Sequence, residues 1–524
     1  MTGWAPILAA ARAERERFAR ASAEPRAAQL GLLHTILADN AGCAFGRVHG
    51  FADIETVEKF QTSVPIRDYE EHRPWIERDA ETAAVAPSYP NLEEARSILT
   101  TAPIVAFEET GGSTSGRKLI PYTQAGLAAF RAAALPWLGD LAQERPETFA
   151  GRAYVAISPV ARAPRATAGG IPIGLASEGT YLGDELAEAF ASVLAVPAEL
   201  AQVQDIEQWR FLTLRHLIAT DDLTFISVWS PTFLIGLMEA LPALAVPLLK
   251  ALREDGGDLA RLRAVSTALS REPIDAQLIW PRLATISAWA DGASRGYAQR
   301  LQEMLPHAHV QPKGLLATEG AVTLPWQGGA VPALMCAFLE FIDDDGDAWL
   351  CDELHEGASY RVVMTTPGGL YRYDLGDRVR CAGHIGALPR LEFVGRTGIA
   401  TDIVGEKLSE DFVTAALDHV GGVSCLAARA TATPFYELLV DAEAGADLEP
   451  HAARIEERLR ANPQYAYARK LGQLGPVVPR AVERLLDRYA QLQARRGCRL
   501  ADIKPPILIG DGAAYDALIG ASLP

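Results

Sequence analysis

The chain has 524 residues and 56.3 kDa, and at the usual ~100–200 residues per domain it is predicted to form at least two lobes. Hydrophobic residues make up 49% and charged residues 22%, a balance that indicates large buried cores and excludes general disorder. The net charge of −17 excludes a broadly basic nucleic-acid-binding surface, but an anionic ligand in a local pocket remains compatible with it.

The N-terminal half is predicted to be mainly helical. Residues 1–90 and 120–300 carry Ala- and Leu-rich segments with charged residues at helical spacing. Gln124–Leu135 is predicted as a helix that the next proline ends, and Phe233–Leu252 as a core helix that its two prolines break. Glu239 lies within the second segment, and its carboxylate would be costly in a bilayer, so no membrane span is expected there.

The pattern changes from about residue 333 to short runs rich in β-formers, separated by turns with Gly and Asp, which predict a sheet or small barrel. These runs are Phe338–Ile342, Ala348–Leu354, Ser359–Thr366, Arg378–Ala382 and Arg390–Val394. After Gly405, helical and strand-like segments alternate, as in a small α/β module, and Phe435–Val440 is predicted as one of its strands. A division into domains 1–398 and 399–524 is predicted, with small residues at the junction that are compatible with a hinge.

A loop rich in Gly, Ser and Thr follows the apolar run at residues 104–107. Its glycines allow backbone N–H groups to turn toward a ligand, and its hydroxyls and cations suit phosphate oxygens. The candidate phosphate-binding residues are Thr110, Gly111, Gly112, Ser113, Thr114, Ser115, Gly116 and Lys118. Their spacing differs from that of a nucleoside-triphosphatase P-loop, and an ordinary flexible loop is the alternative interpretation.

A second candidate site is the segment Leu315–Gly320, in which Thr318 and Glu319 follow three apolar residues. A carboxylate at the end of a strand can hold Mg²⁺ together with the phosphate oxygens of a substrate. The alternative is a surface glutamate without a function.

A third candidate site is the segment Leu370–Asp377, which is followed by Arg396 in the sequence Phe-Val-Gly-Arg. Asp377 stands next to a glycine, where its carboxylate can accept hydrogen bonds from both hydroxyls of a ribose, and Arg396 can back a phosphate. The alternative is a hairpin turn in which Arg372 and Asp374 form a surface ion pair.

Taken in order, these segments resemble the acyl-adenylate-forming superfamily and, within it, the auxin-responsive (Gretchen Hagen three) family of acyl acid amido synthetases. The resemblance covers nearly the whole chain. Further segments that carry it are Phe60–Tyr69, Arg73–Arg78, Leu119–Thr123, Val228–Thr232, Ile279–Pro281, Phe338–Ile342 and Arg495–Pro505. The resemblance implies a mixed α/β, two-lobed fold: a large N-terminal lobe with helices, sheets and a small β-barrel-like part, and a small, mobile C-terminal α/β lobe.

The implied activity is a two-step ligation that uses ATP and Mg²⁺. A carboxylic acid first forms an acyl-AMP with release of pyrophosphate, and an amine, expected to be an amino acid, then displaces AMP to give an amide. The two alternatives are an acyl-CoA ligase and a non-catalytic protein that binds a nucleotide or an acyl group. A cytoplasmic protein is expected, because the N-terminus lacks a signal-peptide pattern and the six cysteines are scattered. The partners expected are the acid and the amine; no nucleic-acid or membrane partner is expected, and no protein partner is evident from the sequence.

The resemblance also assigns a role to individual residues. Ser113, Thr114 and Ser115 would contact the β- and γ-phosphates, Thr318 the α-phosphate, Glu319 the Mg²⁺, Asp377 the ribose, Arg396 the ribose and hinge, and Lys504 the carboxylate and α-phosphate. From the residues themselves, the acyl pocket is expected to be apolar with an orienting polar group. Phe130 and Arg131 in one segment, and Trp229 and Thr232 in another, are its candidates, with ordinary packing as the alternative.

Overall fold

The computed structural model describes residues 3–82, 98–110, 118–156, 165–175, 181–398, 400–417, 420, 423–431 and 433–520. Within these ranges the chain is a mixed α/β protein, as predicted. The α-helices are α1 (Trp4–Ala23), α2 (Pro25–Asn40), α3 (Ala44–Val48), α4 (Val57–Ser63), α5 (Tyr69–Thr82), α6 (Gln124–Glu144), α7 (Asp184–Val193), α8 (Ile206–Ala219), α9 (Pro231–Glu254), α10 (Leu259–Leu269), α11 (Ala276–Ile279), α12 (Arg295–Met304), α13 (Glu410–Leu417), α14 (Glu449–Leu459), α15 (Pro463–Lys470), α16 (Leu485–Arg495) and α17 (Gly512–Gly520).

The strands are mostly short. They are β1 (Ile104–Glu109), β2 (Leu119–Thr123), β3 (Arg152–Val155), β4 (Arg165–Ala166), β5 (Pro172–Ile173), β6 (Leu223–Ser227), β7 (Thr285–Ala288), β8 (His309–Pro312), β9 (Leu316–Ala317), β10 (Gly320–Ala321), β11 (Thr323–Trp326), β12 (Gly329–Pro332), β13 (Phe338–Ile342), β14 (Ala348–Trp349), β15 (Ser359–Thr365), β16 (Tyr373–Ile385), β17 (Leu388–Arg396), β18 (Ala400–Thr401), β19 (Leu408–Ser409), β20 (Ser424–Arg429), β21 (Phe435–Val440), β22 (Val478–Ala481) and β23 (Leu508–Ile509).

The chain divides into two compact units, each assembled from three segments. The first unit comprises Met1–Ala150, Arg162–Leu194 and Lys313–Phe393, and the second comprises Gly151–Ala161, Ala195–Pro312 and Val394–Pro524. The C-terminal module therefore belongs to the same compact unit as Ala195–Pro312. The functional division into residues 1–398 and 399–524 stays a prediction.

The first unit contains the predicted N-terminal helices and the predicted strand-dense region. Strands β14, β13, β15, β16 and β17 form a five-stranded sheet in that order, and β17 continues past residue 393 into the second unit. The predicted run Ala348–Leu354 forms a strand only over β14, and a turn begins at Cys351. A second sheet has the strand order β2-β1-β5-β4, and it contains the hairpin around the predicted phosphate loop.

The helix predicted over Gln124–Leu135 does not end at Pro136. Helix α6 continues through this buried proline to Glu144. A Cβ atom on Gly139 would lie 2.4 Å from the carbonyl oxygen of Ala11 in α1, so the two helix backbones are in close contact beyond the proline. This packing outweighs the single backbone hydrogen bond that a proline removes.

The second unit holds the long helix α9, which was predicted to be broken by prolines. It is continuous over 24 residues, with Pro242 and Pro247 inside it. Among the described residues, α9 is the one helix that is long and apolar enough to cross a membrane, judged by length and composition alone. Its most apolar 18-residue window has a mean hydropathy of 1.9, and 39% of that window is buried within the protein. Its carboxylate, Glu239, forms an ion pair with Arg300 of α12, and α9 also packs against α8 and α10.

Two sheets of the second unit differ in how well the sequence predicted them. Strands β3, β6, β7 and β8 form a parallel sheet that was not predicted. All residues of β6 and β7 are buried, and strands covered on both faces lack the alternation of apolar and polar residues that marks a strand in a sequence. The C-terminal sheet, in the order β22-β21-β20-β23, includes β21 with the predicted bounds Phe435–Val440.

Candidate active site

The predicted phosphate loop is the connection of the antiparallel hairpin β1–β2. Thr110 N–H donates to the carbonyl oxygen of Lys118 at 3.0 Å, which closes the base of the loop. Tyr69 of α5 supports this base, because its hydroxyl accepts from Leu119 N–H at 2.8 Å and its ring lies 5.3 Å from Lys118 Nζ. The other candidates of the loop, Gly111, Gly112, Ser113, Thr114, Ser115 and Gly116, lie outside the described residues.

Thr318 and Glu319 form the two-residue turn between β9 and β10, in which Gly320 pairs with Ala317. The Glu319 side chain is largely buried, with the residue 9% exposed. Tyr373 of β16 donates its hydroxyl to Glu319 Oε1 at 3.0 Å. The structure therefore places the predicted metal-binding carboxylate on a tight hairpin and inside the protein, which excludes the alternative of a surface glutamate.

Tyr122, at the end of β2, binds the same turn from another side. Its hydroxyl donates to the carbonyl oxygen of Thr318 at 2.8 Å and lies 3.4 Å from the hydroxyl of Tyr181. Burial, and then the neighbouring Tyr181, raise the pKa of Tyr122 well above its ordinary value, so its phenol stays protonated as a donor. Phe130 completes a cluster of three aromatic rings, with ring centroids 5.6 Å from Tyr122 and 5.3 Å from Tyr181.

A cavity lies beside Glu319. The residues that form its wall include Tyr122, Gly126, Phe130, Cys336 and Gly368. The wall is mainly apolar, and burial raises the pKa of the Cys336 thiol to about 12, so this side chain acts as an apolar, unreactive group. Its wall, with a carboxylate and a phenol at the edge, has the composition of a small-molecule site, but the cavity has room for only about one water molecule, so a ligand would have to widen it.

The neighbouring candidate, Arg131, has a different environment from that of Phe130. Its guanidinium packs against Gly183, where a Cβ atom would lie 2.6 Å from Arg131 Cζ. Its Nε is buried without a hydrogen-bond partner among the residues that the structure describes. Phe130 therefore lines the cavity directly, whereas the Arg131 side chain lies outside the cavity wall and packs against Gly183.

Asp377 lies in an irregular part of strand β16. Between the pairs Arg361–Arg378 and Val363–Asp374, β16 has two more residues than β15, and Asp377 is buried within this bulge. Asp374 Oδ1 accepts from Gly376 N–H at 2.9 Å, which fixes the local turn.

The alternative of a surface ion pair between Arg372 and Asp374 is wrong. Arg372 is buried and donates to both carboxylate oxygens of Glu340 at 2.9 Å. Asp374 instead forms an ion pair with Arg361. Because the arginine and the aspartate bind different partners, this segment is a buried structural element rather than a simple surface turn.

The remaining candidates lie in the second unit. Lys504 is exposed, and its Nζ lies 5.5 Å from the ring centroid of Trp289. Trp289 packs at a tilt against Trp229, at 6.1 Å between ring centroids, and donates its backbone N–H to the Trp229 carbonyl oxygen at 2.9 Å. Thr232 is the second residue of α9, and its hydroxyl lies 2.6 Å from that of Ser230.

Arg396, the last residue of β17, is half-buried and also lies in the second unit. Within the first unit the structure brings together Thr318, Glu319 and Phe130. Within the second unit it brings Trp229 and Lys504 to the same tryptophan ring.

Three aromatic residues at these sites had no predicted role. Tyr122 and Tyr373 stand in segments that carried the family resemblance, and Trp289 stands outside them. A buried tyrosine needs a partner for its hydroxyl, and that requirement was the available signal for the two tyrosines. The partners themselves are distant in sequence, so no spacing rule identifies them.

Comparison with known proteins first defines the class. A crystal structure of 2-hydroxyisobutyryl-CoA ligase in the postadenylation state superposes with a TM-score of 0.51 at 14% identity, covering 94% of this chain and 90% of that chain. The acyl acid amido synthetase GH3.15, in complex with 2,4-DB, superposes with a TM-score of 0.81 at 18% identity, covering 97% and 95%. The fold is therefore that of the adenylate-forming proteins, which confirms the predicted fold class.

The family follows from the sequence matches. Residues 14–261 match the GH3 family N-terminal domain and residues 331–396 match the GH3 family central domain. The chain belongs to the GH3 family, and the resemblance found in the sequence is confirmed.

Curated relatives of the chain carry the names of amido synthetases. A probable indole-3-acetic acid-amido synthetase GH3.12 of Oryza sativa subsp. japonica is 22% identical over 481 residues, which covers 78% of this chain and 75% of that protein. The jasmonoyl–L-amino acid synthetase JAR6 of Nicotiana attenuata is 22% identical over 554 residues, covering 91% and 90%.

Proposed function

We propose that this protein is an ATP-dependent acyl acid amido synthetase. It activates a carboxylic acid as an acyl-AMP with release of pyrophosphate, and it transfers the acyl group to an amine, an amino acid, to form an amide and AMP. The buried carboxylate of Glu319, held on a hairpin at the edge of an apolar cavity, is the observation that carries this proposal. Membership of the GH3 family and the names of its relatives support it.

The first step joins two anions. A carboxylate oxygen of the acid attacks the α-phosphorus of ATP, an O–P bond forms, and the bond to pyrophosphate breaks. Charge on the phosphates must be neutralised for this approach, and fixed dipoles and cations do so most effectively in a site shielded from water. We assign Thr318 to the α-phosphate, Lys504 to the carboxylate and α-phosphate, and the loop Thr110–Lys118 to the outer phosphates.

Glu319 is suited to hold Mg²⁺ jointly with ATP. The described residues contain no group of three or more His, Cys, Asp or Glu that would bind a metal ion without a substrate. A single buried carboxylate fits Mg²⁺, which is commonly bound by one or two carboxylates plus substrate phosphates. When bound, Mg²⁺ would supply part of the charge neutralisation at the phosphates.

The cavity beside Glu319 is proposed as the acyl site. Its apolar wall, with Phe130 and Cys336, suits the hydrocarbon part of an acid, and the acid's carboxylate would face the turn that carries Glu319. Arg131, which lies one position further along α6 and packs against Gly183, remains a proposed contact of the acid. Trp229 and Thr232 of the second unit remain proposed contacts of the substrates.

Asp377 and Arg396 are proposed to hold the ribose, and Arg396 also to border the hinge. In the second step the amine nitrogen attacks the acyl carbon of acyl-AMP. A C–N bond forms, the C–O bond to AMP breaks, and the amine loses its proton. We propose that residues 399–524 form a mobile lobe that rearranges between the two steps, in a cytoplasmic protein.

The test is acid-dependent pyrophosphate release across a library of carboxylic acids, each with and without an amino acid or coenzyme A. We expect release with some acids and amide formation only when an amino acid is present. A thioester product with coenzyme A would favour an acyl-CoA ligase, the activity of the fold neighbour with a TM-score of 0.51. Nucleotide binding without acid-dependent release would leave only a binding function and contradict the proposal.

A further inference from the structure

We propose that Tyr122 and Tyr373 form a clamp of two hydroxyls that fixes the Thr318–Glu319 turn for use of Mg²⁺ and ATP. Both are positioning residues: each acts on the turn, and neither is assigned to the chemistry. The inference rests on the proposed function for its consequence, and on the structure of the first unit for its geometry.

The turn lacks the backbone conformation that would make it stable by itself. Two-residue hairpin turns are favoured when they adopt mirror-image turn types, which require a positive φ in the turn. Neither Thr318 nor Glu319 has a positive φ, and each flanking strand contains only two residues. Such a short hairpin is at best marginally stable on its own, so contacts from outside must hold it.

The sheet beneath the hairpin supplies the first of these contacts. Gly320 follows the turn, and a Cβ atom there would lie 2.6 Å from the Met364 Cε atom of β15. Met364 is the partner of Tyr373 across the β15–β16 pair. The hairpin therefore lies directly on the pair of residues from which the Tyr373 hydroxyl reaches Glu319 at 3.0 Å.

The second contact comes from β2, the strand that follows the predicted phosphate loop in the chain. Tyr122 donates to the carbonyl oxygen of Thr318 at 2.8 Å, and Thr123, the next residue, caps α6 through its side chain. One hydroxyl thus holds the backbone of the turn and the other holds the carboxylate that the turn carries. The two donors come from separate elements, so together they define both the position and the orientation of Glu319.

A carboxylate held in this way needs no reorganisation when Mg²⁺ and ATP arrive. If the phenol donor is removed, the buried carboxylate must find another orientation or another partner, and its binding geometry is no longer defined in advance. Mg²⁺ demands near-ideal octahedral geometry, so loss of orientation weakens its binding.

Hydrogen exchange in the protein without nucleotide tests the clamp itself. We expect the amides of residues 315–321 to exchange about ten-fold faster in Tyr373→Phe and in Tyr122→Phe than in the wild type. Tyr371→Phe is the matched control, because Tyr371 is equally buried, two residues away, and donates to the carbonyl oxygen of Leu99 at 2.6 Å. Unchanged exchange in both test variants, or equal acceleration in the control, would overturn the proposal. This measurement needs no ATP, so it is independent of whether the proposed reaction occurs.

Calorimetric titration with ATP, with and without Mg²⁺, tests the consequence. We expect the factor by which Mg²⁺ raises the affinity for ATP to fall about ten-fold in Tyr373→Phe and to stay unchanged in Tyr371→Phe. Affinity for ATP without Mg²⁺ should stay the same in both variants. An unchanged or larger Mg²⁺ effect in Tyr373→Phe would refute the positioning role. Absence of ATP binding by the wild type would instead contradict the proposed function.

Discussion

Two of the charged residues proposed to act at the phosphates, Glu319 and Lys504, have opposite environments. Glu319 in the first unit is 9% exposed, stands on a hairpin turn and accepts a hydrogen bond from Tyr373. Lys504 in the second unit is exposed, precedes Pro505 and lies over the ring of Trp289 at 5.5 Å. The anionic group is fixed before substrates bind, whereas the cationic group is at the end of a long, exposed side chain.

This difference matches the separate demands of a two-step reaction. A metal-binding carboxylate serves best if its geometry is constant, because reorganisation would reduce the affinity for the ion. A cation–π contact at an exposed site contributes only about 0.5–1 kcal/mol, so the contact with Trp289 by itself adds little to the stability of the Lys504 side-chain position. The structure thus combines a buried, positioned carboxylate with an exposed lysine.

Replacement of the exposed lysine should have the largest effect. In Lys504→Ala we expect the rate of acyl-adenylate formation to fall by about 10²–10³, the usual cost of losing one electrostatic contact to the transition state. Conversion of a supplied acyl-AMP to the amide should change less. Single-turnover measurements of both steps check this, with Lys250→Ala as the control, since Lys250 is an exposed lysine of α9 paired only loosely with Glu254 at 3.8 Å. Equal slowing of both steps would contradict the assignment.

Replacement of the fixed carboxylate should have the next largest effect. Glu319→Gln keeps the shape of the side chain and removes its charge, so we expect about 10²-fold weaker use of Mg²⁺–ATP. The Mg²⁺ dependence of pyrophosphate release measures this effect. A Mg²⁺ dependence identical to that of the wild type would remove Glu319 as the metal ligand.

Much of the fold was predictable where local pattern and tertiary packing agree. The strand Phe338–Ile342 and the strand Phe435–Val440 have the predicted bounds, and the N-terminal helices are present. The prolines of α6 and α9 were misleading, because tertiary contacts that a sequence does not display keep those helices continuous. The parallel sheet was missed, since its buried strands lack periodicity.

For the candidate site, the sequence indicated candidate residues, whose roles stay predictions, but not the side chains that support them. Glu319 was chosen because it follows an apolar run and would stand at the end of a strand, and the structure places it in the turn directly after β9. Tyr373, which binds Glu319, is 54 residues away from it in the sequence. Tyr122, which binds the neighbouring Thr318, is 196 residues away from Thr318. Contacts at such separations depend on how sheets pair and pack, and no single-sequence spacing encodes them.

The stability of the first unit is expected to depend on pH, because helix α5 carries two buried groups whose pKa values are shifted in opposite directions. Burial lowers the pKa of His72, which lies against the Tyr373 ring, to about 4, and burial raises the pKa of Asp79 to about 6. The unfolded chain binds a proton at His72 more readily than the folded protein does, so protonation of His72 lowers the free energy of unfolding as pH falls from about 6.5 to 4. Asp79 binds its proton more readily in the folded state, so its protonation raises the free energy of unfolding as pH falls from about 6 to 3.8.

Thermal unfolding of two variants at pH 7 and pH 5 separates these contributions. In the wild type, His72 should lower the free energy of unfolding by about 2 kcal/mol when the pH is reduced from 7 to 5, and His72→Leu should abolish this decrease. Asp79 should raise the free energy of unfolding by about 1 kcal/mol over the same pH change, and Asp79→Asn should abolish this increase. The two variants should therefore change the pH dependence of the free energy of unfolding in opposite directions. A shift in the same direction would show that one of the two groups is not buried in this way.

The smallest expected effect concerns the cavity that borders the fixed turn. A Cβ atom on Gly126 of α6 would lie 3.4 Å from the Gly368 Cα atom, an ordinary contact, so Gly126→Ala should narrow the cavity without displacing the backbone. We expect kcat/KM to fall about ten-fold for the bulkiest accepted acid and to change little for the smallest, since one methyl group in an apolar pocket discriminates by about that factor. Gly31→Ala is the control, because Gly31 is a helical glycine of α2 whose Cβ would meet no atom within 4 Å. Equal loss for large and small acids would mean that α6 moves as a whole, and the rigidity inferred for this region would not extend from the turn to the cavity.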